Sequence, residues 1–427
     1  MNPIETIYKH FIKAYKVSTD SRKIEKDAVF FALKGENFDA NDFALQVAND
    51  GVASLVVADR KDLPKHERIL IVDDALKTLQ GLARYHRLQC NAIVLSITGT
   101  NGKTTTKELV SAVLAKKYNL IHTQGNLNNH IGVPLTLLSI KPETEIAVVE
   151  MGANHPGEID FLCHIADPDF GLITNIGKAH LEGFGSFEGV IKTKTELYRH
   201  IKVHGKAVFV NQGNPLLWEL SGGQTRISYG RHCAADTPVA PAKCDPYLSV
   251  GWKSHLIQTH LVGSYNFENV AAAIGVGQYF KVDENDIIEA LEQYTSTNSR
   301  SQVIETEKNQ ILMDAYNANP TSMRAALINF ANIRGEQHLL ILGDMRELGS
   351  ASEEEHRNIL ALMKELGFKE AFLVGQNFCA YNDNPNWKTF AKVEDLCQYI
   401  ESHPIEGKHI LVKGSRGIQL EKVLPLL

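Results

Sequence analysis

Residues 92–97 read AIVLSI and residues 99–105 read GTNGKTT. The unbroken apolar run predicts a buried strand of a parallel sheet, and the glycine loop after it predicts a bend into a helix over residues 104–117. This order is a shortened relative of the P-loop, in which backbone N–H groups and the helix N-terminus cradle phosphate oxygens. We therefore expect Lys103 to reach the β- and γ-phosphates of ATP and Thr104 to hold Mg²⁺ through its hydroxyl. The alternative is a plain glycine turn that caps a helix.

Polar residues follow the next predicted strands of the same sheet. Glu150 ends the apolar run at 146–149, and His180 follows the run at 171–174. Both lie where open α/β sheets bind ligands, within reach of the phosphate loop. Glu150 is a candidate Mg²⁺ ligand, or else a strand-end acid paired with a lysine. His180 is a candidate for the metal or phosphate site, although a lone histidine is more often a structural hydrogen-bond donor.

Around this core the chain divides into three blocks, 1–90, 91–297 and 298–427. In the first block, apolar runs at 29–33, 53–57 and 69–72 predict strands, and a helix is predicted over 73–88. The central block adds a strand at 207–210, a proline-rich loop over 238–246 and a helix over 267–280 that packs through small residues.

The third block alternates strands and helices. Strands are predicted at 310–314, 338–342, 370–374 and 408–412, and helices at 321–333, 353–366, 393–402 and 417–424. This order predicts a second parallel sheet with helices on both faces. The fold class is therefore α/β with three domains: a small N-terminal α/β domain, a central P-loop domain with a parallel sheet, and a Rossmann-like C-terminal domain.

The composition of the chain limits the kinds of partner and compartment that we expect. The 427 residues include 44 Lys and Arg against 50 Asp and Glu, a formal net charge of −6. A mildly acidic chain argues against nucleic acid as the main partner, because phosphate backbones recruit an excess of basic residues. Six cysteines without CxxC spacing predict a reduced, cytoplasmic protein. No apolar run approaches the length of a membrane span, so no membrane insertion is expected, and we expect a monomer.

Several motifs together resemble a known family. They read GTNGKTTTK, GNLNNHIGVPLTLL, EMGANHPGEI, HLEGFGS, TKTELY, DAYNANPTSM, LGDMRELG and VKGSRG, and they are similar to motifs of the Mur ligases of peptidoglycan synthesis. The first is shared by all Mur ligases and by folylpolyglutamate synthetases. DAYNANP and GDMRELG are more specific to the members that add D-alanyl-D-alanine to UDP-N-acetylmuramoyl-tripeptide.

The resemblance implies roles for individual residues. Those implied for ATP are Gly99, Thr100, Asn101, Gly102, Lys103, Thr104, Thr105, Asn266, Asn269, Arg300, Asp314, Tyr316 and Asn317. Those implied for metal are Thr104, Glu150, His180 and Lys194, and those for catalysis are Lys103, His180, Lys194 and Arg300. Lys194 matches a lysine that becomes a carbamate in related Mur ligases, an anion able to support a second Mg²⁺. Without the resemblance it would be a solvated helix lysine.

The resemblance also implies two substrate sites. Ser21, Arg22, Lys34, Gly35 and Glu36 match positions at the UDP end of the nucleotide-sugar peptide, and Asn319, Asp344, Glu347 and Arg416 are candidates for the dipeptide. For Asp344 the alternative is a helix cap, and for Glu347 and Arg416 it is ordinary surface charge. Asn317 and Asn319 share one loop and are candidates for contact with either ATP or the dipeptide.

The implied activity is an ATP-dependent amide ligase with an acyl-phosphate intermediate. The diamino-acid-adding Mur ligases are a weaker match, because Asn317-Ala318-Asn319-Pro320 replaces their acidic-Asn-Pro-Arg signature. A folylpolyglutamate synthetase would leave the first block without a role. A P-loop ATPase without ligation would give no reason for the third block.

Overall fold

The computed structural model describes residues 3–244, 246–296, 301–333 and 337–427. Three sheets divide this part of the chain into three α/β domains, as the sequence predicts. The elements of the first domain are α1 (Pro3–Phe11), β1 (Val17–Ser18), β2 (Val29–Phe31), α2 (Ala44–Asp50), β3 (Leu55–Ala58), β4 (Ile69–Ile71) and α3 (Ala75–Gln89). Its four strands are parallel, in the order β1-β2-β3-β4.

The central domain holds a nine-stranded sheet. Its elements are β5 (Ile93–Thr98), α4 (Lys103–Ala115), β6 (Leu120–His122), α5 (Gly132–Leu137), β7 (Ile146–Glu150), α6 (Glu158–Ala166), β8 (Phe170–Ile173), α7 (Leu181–Phe184), α8 (Phe187–Lys194), α9 (Glu196–His204), β9 (Ala207–Asn211), α10 (Pro215–Leu220), β10 (Arg226–Gly230), β11 (Thr237–Cys244), β12 (Tyr247–Trp252), β13 (His255–Val262), α11 (Phe267–Tyr279) and α12 (Glu284–Gln293). The strand order is β13-β12-β11-β10-β9-β8-β5-β7-β6.

The loop predicted over 238–246 is wrong for most of its length, because Thr237–Cys244 forms strand β11. Proline is tolerated in β11 because this strand pairs with β10 only through Thr237 and Pro238. Beyond Pro238, the side of β11 that faces away from β12 has no neighbouring strand and needs no backbone N–H to donate to one. A register shift follows Pro241 on the other side, where β11 runs antiparallel to β12. Strands β11 to β13 therefore extend the parallel sheet with an antiparallel meander.

The C-terminal domain has a six-stranded sheet. Its elements are β14 (Gln302–Glu305), β15 (Gln310–Asp314), α13 (Pro320–Ala331), β16 (His338–Gly343), α14 (Ser352–Glu365), β17 (Glu370–Val374), α15 (Gln376–Tyr381), β18 (Trp387–Phe390), α16 (Val393–Ser402) and β19 (His409–Lys413). The order is β14-β15-β19-β16-β17-β18, parallel except for the edge strand β14. The helix predicted over 417–424 is replaced by two 3-10 turns, Arg416–Ile418 and Leu420–Leu426.

Close helix packing supports the phosphate loop. Helix α11 lies against α4, and a Cβ at Gly277 would come within 2.5 Å of the Val113 side chain. Small residues on α11 therefore let the two helices approach, as the sequence predicts, and fix the helix that begins at the loop. No helix in the described ranges has the length and hydropathy needed to cross a membrane.

Candidate active site

The phosphate loop follows β5 and ends where α4 begins at Lys103. Gly99 and Gly102 both have positive φ, 142° and 76°. A Cβ at Gly99 would lie 2.0 Å from the Thr174 hydroxyl oxygen, and one at Gly102 would lie 2.5 Å from the side-chain oxygen of Asn269. Strain and steric conflict thus require glycine at both positions.

The end of β8 holds the loop in shape. The Thr100 N–H donates to the Asn175 carbonyl at 2.9 Å, and the Asn101 N–H donates to the Asn175 side chain at 3.0 Å. The Thr100 hydroxyl donates to the Gly177 carbonyl at 3.2 Å. Lys103 Nζ lies over the same loop, donating to the carbonyls of Gly99 and Thr100 at 2.9 and 3.0 Å. The loop is therefore preorganised, with its cation at the mouth.

Glu150 ends β7 beside the loop, and only 1% of it is exposed. Its Oε1 accepts from the Thr104 hydroxyl at 3.2 Å and from the Asn128 amide at 2.7 Å. Its Oε2 is buried and has no hydrogen-bond partner among the described residues. A buried carboxylate oxygen without a partner costs free energy unless something binds it.

This donor set fits Mg²⁺. The described ranges contain no cluster of three or more His, Cys, Asp and Glu side chains that could enclose a metal. Mg²⁺ does not need one, because it keeps several waters and is commonly bound through one or two protein oxygens together with substrate phosphates. The Thr104 hydroxyl and the unpartnered Glu150 oxygen supply such oxygens next to the phosphate loop.

His180 meets the C-terminal domain. It follows β8 with φ of 51°, and its Nδ1 contacts the carboxylate of Glu347, which follows β16 with φ of 62°. The hydrogen bond from His180 lowers the pKa of the Glu347 carboxyl against the opposing effect of burial. His180 and Glu347 thus meet across the interface between the central and C-terminal domains, each with its backbone in the left-handed region.

Lys194 ends α8 and is 2% exposed. Its Nζ donates to the Ala153 carbonyl at 3.4 Å and lies 5.4 Å from the centre of the Phe184 ring. Burial, followed by the charge of Lys103, holds the pKa of this amine well below its usual range. The sequence alone suggested a solvated lysine, whereas the amine is buried behind Ala153, which lines the cleft.

The asparagine pair, Asn266 and Asn269 at the start of α11, lies against the N-terminal turn of α4, beside the phosphate loop. The Thr106 hydroxyl donates to Asn269, the Asn269 amide donates to the Asn266 side chain at 2.8 Å, and the Asn266 amide donates to the Val262 carbonyl at 2.8 Å. Both asparagines line the cleft while this chain of hydrogen bonds orients them.

Three loops of the C-terminal domain close the other side of the cleft. Asp314 accepts from Lys413 Nζ at 2.6 Å, and the Arg416 guanidinium lies 5.1 Å from the centre of the Tyr316 ring. Asn319 caps α13, and its amide reaches across to Asn101 of the phosphate loop at 2.7 Å. The C-terminal domain thus touches the phosphate loop directly.

The cleft has a volume of about 1050 Å³. The predicted residues that line it are Thr100, Asn101, Gly102, Lys103, Thr104, Thr105, Glu150, His180, Asn266, Asn269, Asp314, Tyr316, Asn317, Asn319, Glu347 and Arg416. The structure therefore brings together most of the residues predicted for ATP, metal and dipeptide, from two domains.

Other predicted residues lie elsewhere. Asp344 is buried and is not among the residues that line the cleft. Its carboxylate accepts from the backbone N–H groups of Asn377 and Phe378 at 2.9 and 3.0 Å, at the start of α15. This contact matches the helix-cap alternative. Ser21, Arg22, Lys34, Gly35 and Glu36 lie on the first domain, away from this cleft. Arg22 pairs with Asp20 at 2.9 Å. Arg300 lies outside the described residues.

Sequence reasoning missed several polar lining residues, among them Asn128 and Arg346. Asn128 holds Glu150, and Arg346 lies on the C-terminal wall of the cleft. Both fall inside motifs that the sequence analysis quoted, GNLNNH and GDMRELG. Neither Asn128 nor Arg346 could be singled out from the sequence, because their contacts, Glu150 and Ser415, come from distant parts of the chain.

Comparison with known proteins agrees with this geometry. The family described as "Mur ligase middle domain" matches residues 97–277, and "Mur ligase, glutamate ligase domain" matches residues 299–416. The UDP-N-acetylmuramoyl-tripeptide–D-alanyl-D-alanine ligase of Bacillus subtilis (strain 168) is 35% identical over 422 residues, 96% of this chain and 92% of the relative. The chain belongs to the Mur ligase family. The family prediction made from the motifs is confirmed.

Solved Mur ligase structures extend the likeness to the whole architecture. MurF from Acinetobacter baumannii superposes with a TM-score of 0.85 at 32% identity and covers 96% of this chain and 92% of its own. MurF ligase from Thermotoga maritima, solved in complex with ADP, gives 0.83 at 27% identity and covers 96% of both chains. The three-domain α/β fold predicted for this Mur ligase is confirmed.

Proposed function

We propose that this Mur ligase joins D-alanyl-D-alanine to UDP-N-acetylmuramoyl-tripeptide and converts ATP to ADP and phosphate. The observation that carries the proposal is the unpartnered Glu150 oxygen beside the Thr104 hydroxyl, inside a cleft that the phosphate loop shares with the C-terminal domain. The extensive similarity to the Bacillus subtilis ligase supports the same reaction.

The first step joins two anions, because the peptide carboxylate attacks the γ-phosphate of ATP. Lys103 and the N–H groups of the phosphate loop offset that repulsion by holding the phosphate oxygens. Bound Mg²⁺, held by Thr104 and Glu150, would supply further positive charge at the phosphates. The product of the step is an acyl phosphate and ADP.

In the second step the neutral amine of the dipeptide attacks the acyl-phosphate carbonyl, its nitrogen gives up a proton, for which His180 is a candidate acceptor, and the tetrahedral intermediate collapses to an amide and phosphate. Asn319, Glu347 and Arg416 are the cleft residues proposed for the dipeptide. Contacts between the phosphate loop and Asn319, and between His180 and Glu347, support a closed arrangement that excludes water and limits hydrolysis of the intermediate.

Lys194 fits the proposed carbamate. A buried amine with a lowered pKa is neutral more of the time, and a neutral amine is the form that adds to CO₂. Addition of CO₂ with loss of a proton would make its side chain an anion, which would balance the charge of Lys103 and support a second Mg²⁺. His180 is proposed as a further metal contact on the same side of the cleft.

We assign the UDP end to Ser21, Arg22, Lys34, Gly35 and Glu36 of the first domain, the ATP phosphates also to Arg300, and the cytoplasm as the compartment. All six cysteines are free, including the exposed Cys233 and Cys379, which supports a reducing compartment. The proposed form is a monomer.

The test measures phosphate release from ATP with UDP-N-acetylmuramoyl-tripeptide, with and without D-alanyl-D-alanine, and the mass of the product. Release that needs both substrates, with a product heavier by the dipeptide, is expected. Release without either substrate and no new amide would instead indicate a bare ATPase.

A matched pair of variants tests the carboxylate that carries the proposal. Glu150→Gln is expected to lower kcat by about 100-fold or more, because the amide cannot offer a second anionic oxygen. Glu188→Gln changes the same group in the first turn of α8, outside the described lining of the cleft, and is expected to leave kcat unchanged. Equal activity of the two variants would remove Glu150 from the mechanism.

A further inference from the structure

Arg346 has no place in the steps above, yet it lies on the C-terminal wall of the cleft. The backbone N–H of Arg346 donates to the Ser415 hydroxyl at 2.9 Å, and that hydroxyl donates to the Ala318 carbonyl at 3.3 Å. Ser415 is 4% exposed. The loops after β15, β16 and β19 are therefore tied together at the backbone of Arg346, which fixes where its side chain leaves the wall.

The guanidinium of Arg346 rests against Gly417. A Cβ at Gly417 would lie 2.2 Å from Arg346 Nη1 and 2.7 Å from its Cζ. Gly417 directly follows Arg416, whose guanidinium lies over the Tyr316 ring. The guanidinium groups of Arg346 and Arg416 therefore lie on the same part of the cleft wall. Each packs against an uncharged neighbour, Gly417 for Arg346 and Tyr316 for Arg416.

Neither guanidinium has an acidic partner within the part of the chain that the structure describes. The ion pairs of the described residues include no contact of Arg346 or Arg416 with a carboxylate. A guanidinium presents its N–H groups as a planar fork that matches a carboxylate or a phosphate in two parallel hydrogen bonds. Two such groups facing a cleft therefore indicate an anionic ligand.

The neighbouring charges favour a carboxylate on a small zwitterion. Glu347 directly follows Arg346, and it faces His180 on the central domain. A polyphosphate would be repelled by Glu347, whereas a zwitterion presents an anionic end to Arg346 and an amine end to the side where Glu347 and His180 meet. That orientation points the amine toward the central domain, which also carries the phosphate loop.

We propose that Arg346, with Arg416, binds the terminal carboxylate of the amine substrate and so makes the ligase specific for a free C-terminal acid. The proposal rests on the proposed function and deepens it by naming a specificity-determining residue. It follows that a dipeptide whose carboxylate is replaced by a neutral amide is a poor substrate.

The experiment compares kcat/KM for D-alanyl-D-alanine and D-alanyl-D-alaninamide in the full-length wild type and in Arg346→Met. The wild type is expected to prefer the acid by about 10- to 100-fold, the range for hydrogen bonds to a charged group. Arg346→Met is expected to lose most of that preference by losing activity on the acid alone. A purely structural role would lower activity on both substrates equally.

Two further variants keep the result interpretable. Gly417→Ala retains both charges but displaces the Arg346 guanidinium, and it is expected to reduce the preference for the acid. Arg357→Met removes an exposed guanidinium of the same domain that pairs with Glu353 at 3.0 Å, and it is expected to change nothing. If Gly417→Ala keeps the full preference, the seating of Arg346 against Gly417 has no role in recognition, and the proposal is overturned.

The same assays separate the carboxylate from phosphate as the anion. A raised KM for ATP in Arg346→Met, with the preference for the acid intact, would assign Arg346 to the nucleotide and overturn the inference. Absence of any ligation by the wild type would contradict the proposed function itself, a result distinct from ligation without preference between acid and amide.

Discussion

The two outer domains are attached to the central domain through interfaces of different chemistry. The first domain shares one apolar core with it, running from Ile7 and Leu82 to Val133 and Ile159, all fully buried. The C-terminal domain instead meets it through polar pairs around the cleft, including His180 with Glu347 and Asn101 with Asn319. One of the buried apolar cores is formed by residues of the C-terminal domain together with Val262, which among the described residues is the central domain's one contribution to it.

This difference assigns different mobility to the two domains. A shared apolar core is lost only at a large cost in free energy, whereas a polar interface resembles the surfaces of transient complexes and separates easily. The C-terminal domain is therefore the one suited to open for substrates and close over ATP, while the first domain stays fixed. Variants at each interface test this comparison.

The largest effect is expected from Arg87→Met at the first interface. Arg87 Nε donates to the Ala166 carbonyl at 3.0 Å, and its Nη2 donates to the Asp167 carbonyl and to the Asp169 carboxylate at 2.9 and 3.0 Å. Removing it leaves buried acceptors unsatisfied, so the free energy of unfolding is expected to fall by about 3 kcal/mol.

Denaturant titration followed by circular dichroism measures that change. Arg84→Met, one helical turn earlier on the exposed face of α3, is the control and is expected to change the free energy of unfolding by less than about 0.5 kcal/mol. A small effect of Arg87→Met would mean that the first interface is no tighter than the second.

Sequence patterns predicted the two interfaces unequally. The apolar residues Leu76, Leu79, Leu82, Ala83 and Leu88 predict an apolar face on the helix over 73–88. Leu79, Leu82 and Ala83 are fully buried, whereas Leu88 is 58% exposed, so the prediction is right for the middle of the helix and wrong at its end. The polar pairs of the cleft were not predicted, because Glu347 and His180 lie far apart in the chain and become neighbours only when two sheets face each other. Many residues that the motifs named line the cleft, whereas their partners, such as Asn128 for Glu150, could be found only from the fold.

The antiparallel meander shows a second limit of sequence patterns. Proline in 238–246 suggested a loop, because proline lacks the N–H that a strand interior uses. Strand β11 can contain proline because beyond Pro238 it has a single neighbouring strand, so one side of its backbone needs no N–H donors. Pairing of this kind depends on which strands lie beside it, which no local window of sequence contains.

An intermediate effect is expected from pH at the first interface. His86 of α3 bonds the Ile140 carbonyl through Nε2 at 2.9 Å and Tyr8 through Nδ1 at 3.3 Å. Burial lowers the pKa of His86 below its usual 6.5. As the pH falls below 6.5, the unfolded chain binds a proton that the folded chain does not, so stability falls by at most about 1.4 kcal/mol per pH unit from this group.

The contribution of His86 is isolated by comparing the wild type with His86→Gln between pH 7.5 and 5. The stability advantage of the wild type is expected to be full above pH 6.5 and to shrink below it. Other buried histidines act on both proteins alike and cancel in the difference. A pH-independent difference would mean that His86 titrates equally in both states.

The smallest effect on stability is expected from Lys178→Met at the second interface. Lys178 Nζ lies 2.8 Å from Glu355 of α14, but half of the lysine side chain is exposed. Solvent and salt screen such a pair, so the free energy of unfolding is expected to change by less than about 0.5 kcal/mol. Small-angle scattering at low ionic strength should nevertheless detect a larger radius of gyration, because the pair bridges the domains. A stability loss near that of Arg87→Met, without expansion, would mean that both outer domains are held equally tightly and that the cleft opens by some other motion.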